Sequence, residues 1–308
     1  MRKFVILKKI TTFDYYLIEV KGIIGLKQRT TTAVFFAAAM IGGIFFSKNT
    51  FILLFTALAA GCLWEYFGLN VKENENKRKD LVRRCCATTF GLVPVVLLTA
   101  SLYGRVWTAN DWAVAGLSLL LALLFQGISE LYFANEAPFE KMGQSVFALV
   151  YIGIPFALTI WMGLKGGFTP WLPFGILWLN WTNDSGAYLA GNRFGKKLLF
   201  PRISPKKTWE GFFGGFALTI LSALVLWHFT GDLLHGIDWV VIAVIVSVIG
   251  TLGDLVESML KRSLAIKDSG NLLPGHGGLL DRFDAFIFVQ PFIAVYLLVT
   301  KTLVEHFA

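Results

Sequence analysis

Acidic, basic and glycine residues are concentrated in residues 253–284, a stretch that lies between two apolar segments. Ionisable groups beside a membrane span are costly, so they usually mark a substrate or ion pathway. Four polar residues here are spaced at i, i+3, i+4 and i+7 and therefore share one face of a helix: Asp254, Glu257, Ser258 and Lys261. This pattern predicts a charged helix face at the edge of the membrane.

Asp281 and Asp284 lie one helical turn apart, at the start of the apolar segment that follows. Carboxylate oxygens are hard ligands that suit Mg²⁺, which keeps water and substrate phosphates in its shell. A metal that bridges phosphate oxygens neutralises their charge and orients an attacking phosphate. The alternative for any single aspartate is a salt bridge to Lys261, Arg262 or Arg282. The clustering of the carboxylates favours a metal and phosphate site.

A second basic and glycine-rich stretch covers residues 184–211. Lys206 and Lys207 supply positive charge, and Ser204 and Thr208 are candidate N-caps of a following helix. The backbone N–H groups at a helix N-terminus bind phosphate readily. The segment therefore predicts a phosphate-binding loop, the alternative being that it simply begins the next apolar helix.

The 308-residue chain is 56% hydrophobic and 16% charged, and its mean hydropathy is +0.64. This composition excludes an ordinary soluble domain and indicates an all-α, polytopic integral membrane protein. Because a spanning helix needs about 20 mostly apolar residues, we expect about nine transmembrane helices. They lie near 31–47, 50–69, 86–104, 112–133, 144–164, 170–188, 211–230, 237–258 and 283–304. The first window is short, and the sixth contains Asn180, Asn183 and Asp184.

The positions of the basic residues predict the orientation. With a cytoplasmic N-terminus, 24 of the 28 Lys and Arg residues lie in segments on the inner side of the membrane, where such residues collect. We therefore expect a multi-pass protein of the cytoplasmic (inner) membrane with an external C-terminus. Asp184, Asp254 and Asp281 then share one depth at the inner face, so the active site faces the cytoplasm. The formal net charge of +8 needs no nucleic acid to explain it.

The remaining features leave choices open. Residues 1–30 mix lysines with apolar residues and predict a cytoplasmic or interfacial segment, whereas residues 31–308 predict a single transmembrane catalytic domain. His276, flanked by glycines, could contact a phosphate or serve a turn. Glu65, within the second window, could pair with a base or line a polar cavity. The three cysteines lack the spacing of a zinc site.

The stretch from Ser258 to Asp284 follows the pattern S-x-x-K-R-x4-K-D-x-G-x5-H-G-G-x-x-D-R-x-D. This pattern closely resembles the signature of phosphatidate cytidylyltransferases, also called CDP-diacylglycerol synthases. The preceding G-D-L-x-E-S, and the D-S-G-A-Y and I-S-P-K-K-T-W-E-G stretches, are similar to that family as well. The specific resemblance covers residues 182–284, and a signature this long and irregular is highly specific.

The resemblance implies that CTP and phosphatidate give CDP-diacylglycerol and pyrophosphate, with Mg²⁺ and room for a second cation. The residues implied in catalysis are Asp254, Lys261, Arg262, Asp281 and Asp284, with Asp254 and Asp281 as metal ligands. Those implied in substrate binding are Asp184, Ser204, Lys206, Lys207, Thr208, Lys267, His276 and Arg282. The expected partners are CTP, phosphatidate and membrane lipid, with a homodimer as a candidate assembly and no nucleic acid.

Two other functions are compatible with parts of this pattern. One is a CTP-dependent transferase that acts on another membrane lipid, against which the complete signature argues. The other is an ion-coupled transporter. Transporters tend to have internal repeats and interrupted helices at the middle of the membrane, whereas these charges cluster at its inner edge. Phosphatidate cytidylyltransferase is therefore the preferred interpretation.

Overall fold

The computed structural model of the protein describes residues 31–32, 34–69, 77–102, 108–133, 137–270, 272 and 277–300. The predicted segment 1–30 and His276 lie outside these residues. The described chain is built from helices α1 to α12. Their bounds are α1 Val34–Phe45, α2 Lys48–Gly68, α3 Lys77–Gly91, α4 Val93–Leu102, α5 Ala109–Phe133, α6 Pro138–Ala148, α7 Ile154–Leu164, α8 Trp171–Phe194, α9 Trp209–Thr230, α10 Gly236–Ile245, α11 Thr251–Ser263 and α12 Leu280–Val299.

One small hairpin interrupts the helical fold. Strand β1, Leu198–Phe200, pairs antiparallel with β2, Ser204–Thr208, in the register Leu198 to Thr208 and Phe200 to Ser204. The prediction that Ser204 caps a helix is therefore wrong, because the chain stays extended through this residue and Pro205. Thr208 is the N-cap of α9, and its side chain accepts a hydrogen bond from the Gly211 N–H at 3.2 Å.

Among the residues that the structure describes, seven helical segments are long and apolar enough to cross a membrane, which confirms a multi-pass, all-α membrane protein. They are Lys48–Gly68, Lys77–Leu102, Ala109–Phe133, Pro138–Leu164, Trp209–Thr230, Gly236–Ser263 and Leu280–Val299. Two of them contain π-helical turns, at Leu149–Gly153 and at Val246–Gly250. The first predicted window forms only the shorter helix α1. The sixth forms α8, whose polar residues Asn180, Asn183 and Asp184 lower its hydropathy.

Helix α12 lies in the core and carries two of the predicted aspartates at its first turn. Its Phe283, Phe286 and Ile287 are buried. The Phe286 ring stacks on Phe55 of α2, with 6.2 Å between ring centroids, and also contacts Phe156 of α7. This apolar packing fixes the start of α12 against α2, so the polar residues before and at that start are held in place.

Candidate active site

Helix α11 presents the predicted charged face. The Ser258 hydroxyl donates to Asp254 Oδ1 at 3.2 Å, one turn earlier. Lys261 forms an ion pair with Glu257, again one turn earlier. These contacts confirm that the four residues share a face. The face divides into two parts, because Asp254 and Lys261 find different partners elsewhere in the fold.

The first part opens into a cavity of about 620 Å³ between α8, the hairpin, α9 and the start of α11. Four charged residues predicted for the site line it, together with Thr208; they are Asp184, Lys206, Lys207 and Asp254. The other lining residues are Asn183, Ala187, Tyr188, Gly191, Asn192, Leu199, Gly211, Phe212, Gly250 and Thr251. A volume of this size is typical of a ligand pocket. The cavity therefore joins two sequence stretches that were predicted separately.

Lys207 links the hairpin to α11 across this cavity. Its Nζ lies 2.5 Å from Asp254 Oδ2, and both side chains keep about 30% exposure, 28% and 30%. Lys206, the next residue along β2, is exposed and also lines the cavity. The cavity thus holds a carboxylate beside two ammonium groups, an arrangement that can bind a metal ion and phosphates together.

The hairpin is fixed to α8 and α9 by close backbone approach and by one acidic side chain. A Cβ atom at Gly211 would lie 2.8 Å from the Ala187 carbonyl oxygen, so only glycine lets the two helices meet here. The Glu210 carboxylate accepts hydrogen bonds from the backbone N–H groups of Lys196, at 3.0 Å, and Lys197. These contacts hold the N-terminus of α9 beside the cavity.

The second part of the α11 face is a closed network around Asp281. Lys261 Nζ donates to Asp281 Oδ1 at 2.7 Å. Asp281 Oδ2 accepts from the backbone N–H groups of Ser269, at 2.9 Å, and Gly278, at 3.0 Å. The Asp281 side chain is 10% exposed and that of Lys261 12%. Asp281 therefore fixes the segment that leads into α12, and it is not among the residues that line the cavity.

Asp284 follows Asp281 by three residues on α12. Its Oδ1 accepts from the backbone N–H of Ala285 at 2.7 Å, and its side chain is half-buried. The charges of Asp254, Glu257 and Asp184 all act on the Asp284 carboxylate. Four carboxyl groups are therefore clustered here, and two of them, Asp184 and Asp254, line the cavity.

The remaining predicted residues that the structure describes do not line the cavity. Arg262 is exposed and donates from Nη1 to the Ile266 carbonyl oxygen at 3.2 Å, within the turn after α11. Lys267 and Arg282 are exposed, and the charge of Arg282 acts on Asp184. Ser204 is half-buried in β2 and is not among the residues that line the cavity.

Two acidic residues that were not predicted as site residues belong to this region. Glu257 is 1% exposed and pairs with Lys261. Glu65, on α2, is 4% exposed and accepts hydrogen bonds from the segment before α12 and from the first residue of α12. The signal for Glu65 was present in the sequence, since a carboxylate inside an apolar span needs a polar partner. Its partner was not predictable, because it lies more than 200 residues away.

The carboxylates fit the implied Mg²⁺ in chemical type. Within the described parts of the chain, no group of three or more His, Cys, Asp and Glu side chains could hold a metal. Mg²⁺ does not need such a cage, because it is usually held by one or two carboxylates plus water and substrate phosphates. Asp254 lines the cavity and Asp281 does not. The carboxylate oxygens of each contact a lysine ammonium group, so both carboxylates already bind a positive charge.

Comparison with known proteins gives an independent result for the whole chain. The profile of the cytidylyltransferase family matches residues 27–300. A protein of Bacillus subtilis (strain 168) named phosphatidate cytidylyltransferase is 34% identical over 276 residues, covering 88% of this chain and 97% of that protein. One of Haemophilus influenzae with the same name is 32% identical over 295 residues, covering 88% and 98%. One of Staphylococcus epidermidis is 40% identical over 196 residues, covering 62% and 74%. The chain belongs to the cytidylyltransferase family.

Proposed function

We propose that this protein transfers the cytidylyl group of CTP to phosphatidate. The phosphate oxygen of phosphatidate attacks the α-phosphorus of CTP, the bond between the α-phosphorus and the bridging oxygen breaks, and pyrophosphate leaves. The product is CDP-diacylglycerol. The observation that carries the proposal is a cavity that combines Asp254, in the first turn of α11, with Lys206 and Lys207 of the hairpin. The relatives that share the family carry the corresponding name.

The basic residues of the hairpin would bind and orient the phosphates. Lys206 is exposed in the cavity, and Lys207 is held there by its contact with Asp254. Thr208 caps α9, and both Thr208 and Gly211 line the cavity, so the N-terminus of that helix lies beside it. Such groups accelerate phosphoryl transfer by positioning the reactants and by neutralising charge, without any protein nucleophile.

The implied Mg²⁺ would be held by Asp254 and Asp281, with a second cation as an option near the Asp284 carboxylate. When bound, such an ion would supply positive charge that neutralises the negative charge developing on the phosphates. Lys261 forms ion pairs with both Glu257 and Asp281, so it supplies a fixed positive charge beside these carboxylates. The pairing of Lys207 with Asp254 supports a role for that carboxylate in attracting cations to the cavity.

The reaction can be tested with purified protein, labelled CTP and a panel of lipid phosphates. We expect liponucleotide and pyrophosphate to form in equal amounts with phosphatidate and Mg²⁺. A clear preference for a different lipid phosphate would favour the CTP-dependent transferase acting on another lipid. Absence of both products with every lipid in the panel, together with ion uptake into vesicles, would favour the transporter.

We also propose nine spans, an inner-membrane location, a cytoplasmic N-terminus and an active site that faces the cytoplasm, with the homodimer kept as a candidate assembly. The distribution of Lys and Arg supports the orientation. The hairpin precedes α9, and the segment 264–279 follows α11. Two spanning segments, Trp209–Thr230 and Gly236–Ser263, separate them, so they lie on the same side whatever roles α1 and α8 have.

The topology can be tested with single cysteines at Lys207 and Lys267 in a background that lacks Cys62, Cys85 and Cys86. We expect both new thiols to react with an impermeant reagent only from the cytoplasmic side. Reaction of either thiol in intact cells would overturn the orientation. Reaction of the two from opposite sides would overturn the arrangement of α9, α10 and α11.

A further inference from the structure

Glu65 of α2 is a buried carboxylate whose described donors are Ser269 and Leu272, in the segment before α12, and Leu280, the first residue of α12. Its Oε2 accepts from the backbone N–H of Leu280 at 2.8 Å. The same oxygen lies 3.5 Å from the Ser269 hydroxyl, and Oε1 accepts from the Leu272 N–H at 3.4 Å. Three donors therefore converge on a single side chain that is 4% exposed.

The same segment is held from its other side by Asp281. Ser269 donates its backbone N–H to Asp281 and its hydroxyl to Glu65. Gly278 donates to Asp281, and two residues later Leu280 donates to Glu65. The segment is thus fixed between two carboxylates, one on α2 and one at the start of α12.

Close packing supports this arrangement. A Cβ atom at Gly270 would overlap the Glu65 carboxylate, so only glycine allows the segment to come this near. Leu280 is the first residue of α12, and its N–H is one of the helix-terminal donors that need a partner outside the helix. A carboxylate at that position is also favoured by the helix dipole.

We propose that Glu65 is a positioning residue for the reaction, which acts through Ser269 and Leu280 to hold Asp281 and Lys261 in place. This inference rests on the proposed roles of Asp281 and Lys261. Both oxygens of Glu65 act as acceptors, because they receive hydrogen bonds from three donors. A glutamine at this position has only one acceptor oxygen and brings an N–H₂ group toward backbone N–H groups.

The test compares kcat and KM of Glu65→Gln, Ser269→Ala, the double variant and Asp281→Asn with the wild-type protein. Ser269→Ala removes the hydroxyl that donates a hydrogen bond to Glu65 and keeps the backbone N–H that donates to Asp281. The control is Glu130→Gln, which alters another buried carboxylate, 2% exposed and paired with Arg83 at 3.5 Å, on α5. Thermal unfolding in detergent is measured for every variant.

We expect Glu65→Gln to lower kcat about tenfold, the scale of one hydrogen bond to a charged group, with KM for phosphatidate within about twofold. Ser269→Ala should lower kcat about threefold. The double variant should be no worse than Glu65→Gln alone, because residues that act through one network are not additive. Glu130→Gln should keep kcat within about twofold.

A folded Glu65→Gln variant with wild-type kcat, or effects that multiply in the double variant, would overturn the proposal. If Glu65→Gln does not fold, Ser269→Ala decides, and a wild-type kcat there overturns it. Loss of activity in Asp281→Asn with normal kcat in both other single variants would leave the proposed function standing and reject only the role of Glu65. Normal activity of Asp281→Asn would instead remove Asp281 from the site and, with it, the proposed role of Glu65.

Discussion

Asp254 and Asp281 differ in their surroundings although both are predicted metal ligands. Asp254 is 30% exposed, lines an open cavity and contacts two side chains, those of Lys207 and Ser258. Asp281 is 10% exposed and accepts from Lys261 and two backbone N–H groups. The open region, which is the cavity beside Asp254, has the volume and the charges to receive substrate. The closed region, which is the network around Asp281, fixes the backbone at the start of α12. Equivalent residues in a motif can therefore have different physical tasks.

The largest expected effect is loss of turnover when either carboxylate becomes an amide. Asp254→Asn and Asp281→Asn should each lower kcat by about a thousandfold or more, because a catalytic metal contact contributes several kcal/mol. The measurement is CDP-diacylglycerol formation in Mg²⁺ by protein that inserts and purifies normally. Glu140→Gln, at an exposed carboxylate of α6, is the control. Near-normal activity of either aspartate variant would remove that residue from the site.

The open region can be tested apart from the closed one through its lysines. Changing Lys206 and Lys207 to Ala should raise KM for CTP or lower kcat by at least about tenfold, since a charged hydrogen bond contributes roughly 1.5–3 kcal/mol. The matched control changes Lys196 and Lys197 to Ala, which removes the same charge from the same connection at exposed residues that do not line the cavity.

If the two double variants lose the same modest amount of activity, the lysines of this connection would be assigned to binding anionic lipid headgroups. The nucleotide site would then have to lie wholly within residues 253–284. Loss confined to Lys206 and Lys207 would support substrate binding in the cavity.

A smaller expected effect is a difference between the two aspartate variants in their free energy of unfolding. Asp281→Asn should lower the free energy of unfolding by about 1–3 kcal/mol, because a buried network loses its charged acceptor. Asp254→Asn should change it by less than about 1 kcal/mol, because an ion pair this exposed contributes little. Thermal unfolding in detergent, with Mg²⁺ removed by a chelator, measures both. Equal destabilisation would mean that the open and closed regions do not differ in the way described.

The sequence was sufficient for the features that depend on local periodicity. The apolar windows predicted all seven segments that are long enough to span, and the spacing from Asp254 to Lys261 predicted the face of α11. The hairpin was missed because Ser204 and Pro205 are compatible both with a helix start and with an extended strand. Only pairing with β1 decides between them.

With one exception, the contacts that join distant segments could not be predicted from one sequence. The pairing of Lys261 with Asp281 is the salt bridge that was offered as the alternative for an aspartate. The pairing of Lys207 with Asp254 was not predicted, because it depends on how the hairpin, α8, α9 and α11 pack. Glu65 is the clearest case. Its charge in an apolar helix predicted a polar partner, but the Leu280 N–H that it accepts from lies 215 residues away.

The central claim, that the cavity beside Asp254 binds CTP, is tested most directly by thiol protection. Asn192, which lines the cavity, and Lys196, which does not, are each replaced by cysteine in an active background without Cys62, Cys85 and Cys86. The rate of modification is measured with and without CTP and Mg²⁺. We predict that CTP slows modification at Asn192→Cys by at least about tenfold and leaves Lys196→Cys unchanged. Equal rates at Asn192→Cys with and without saturating CTP would contradict the claim.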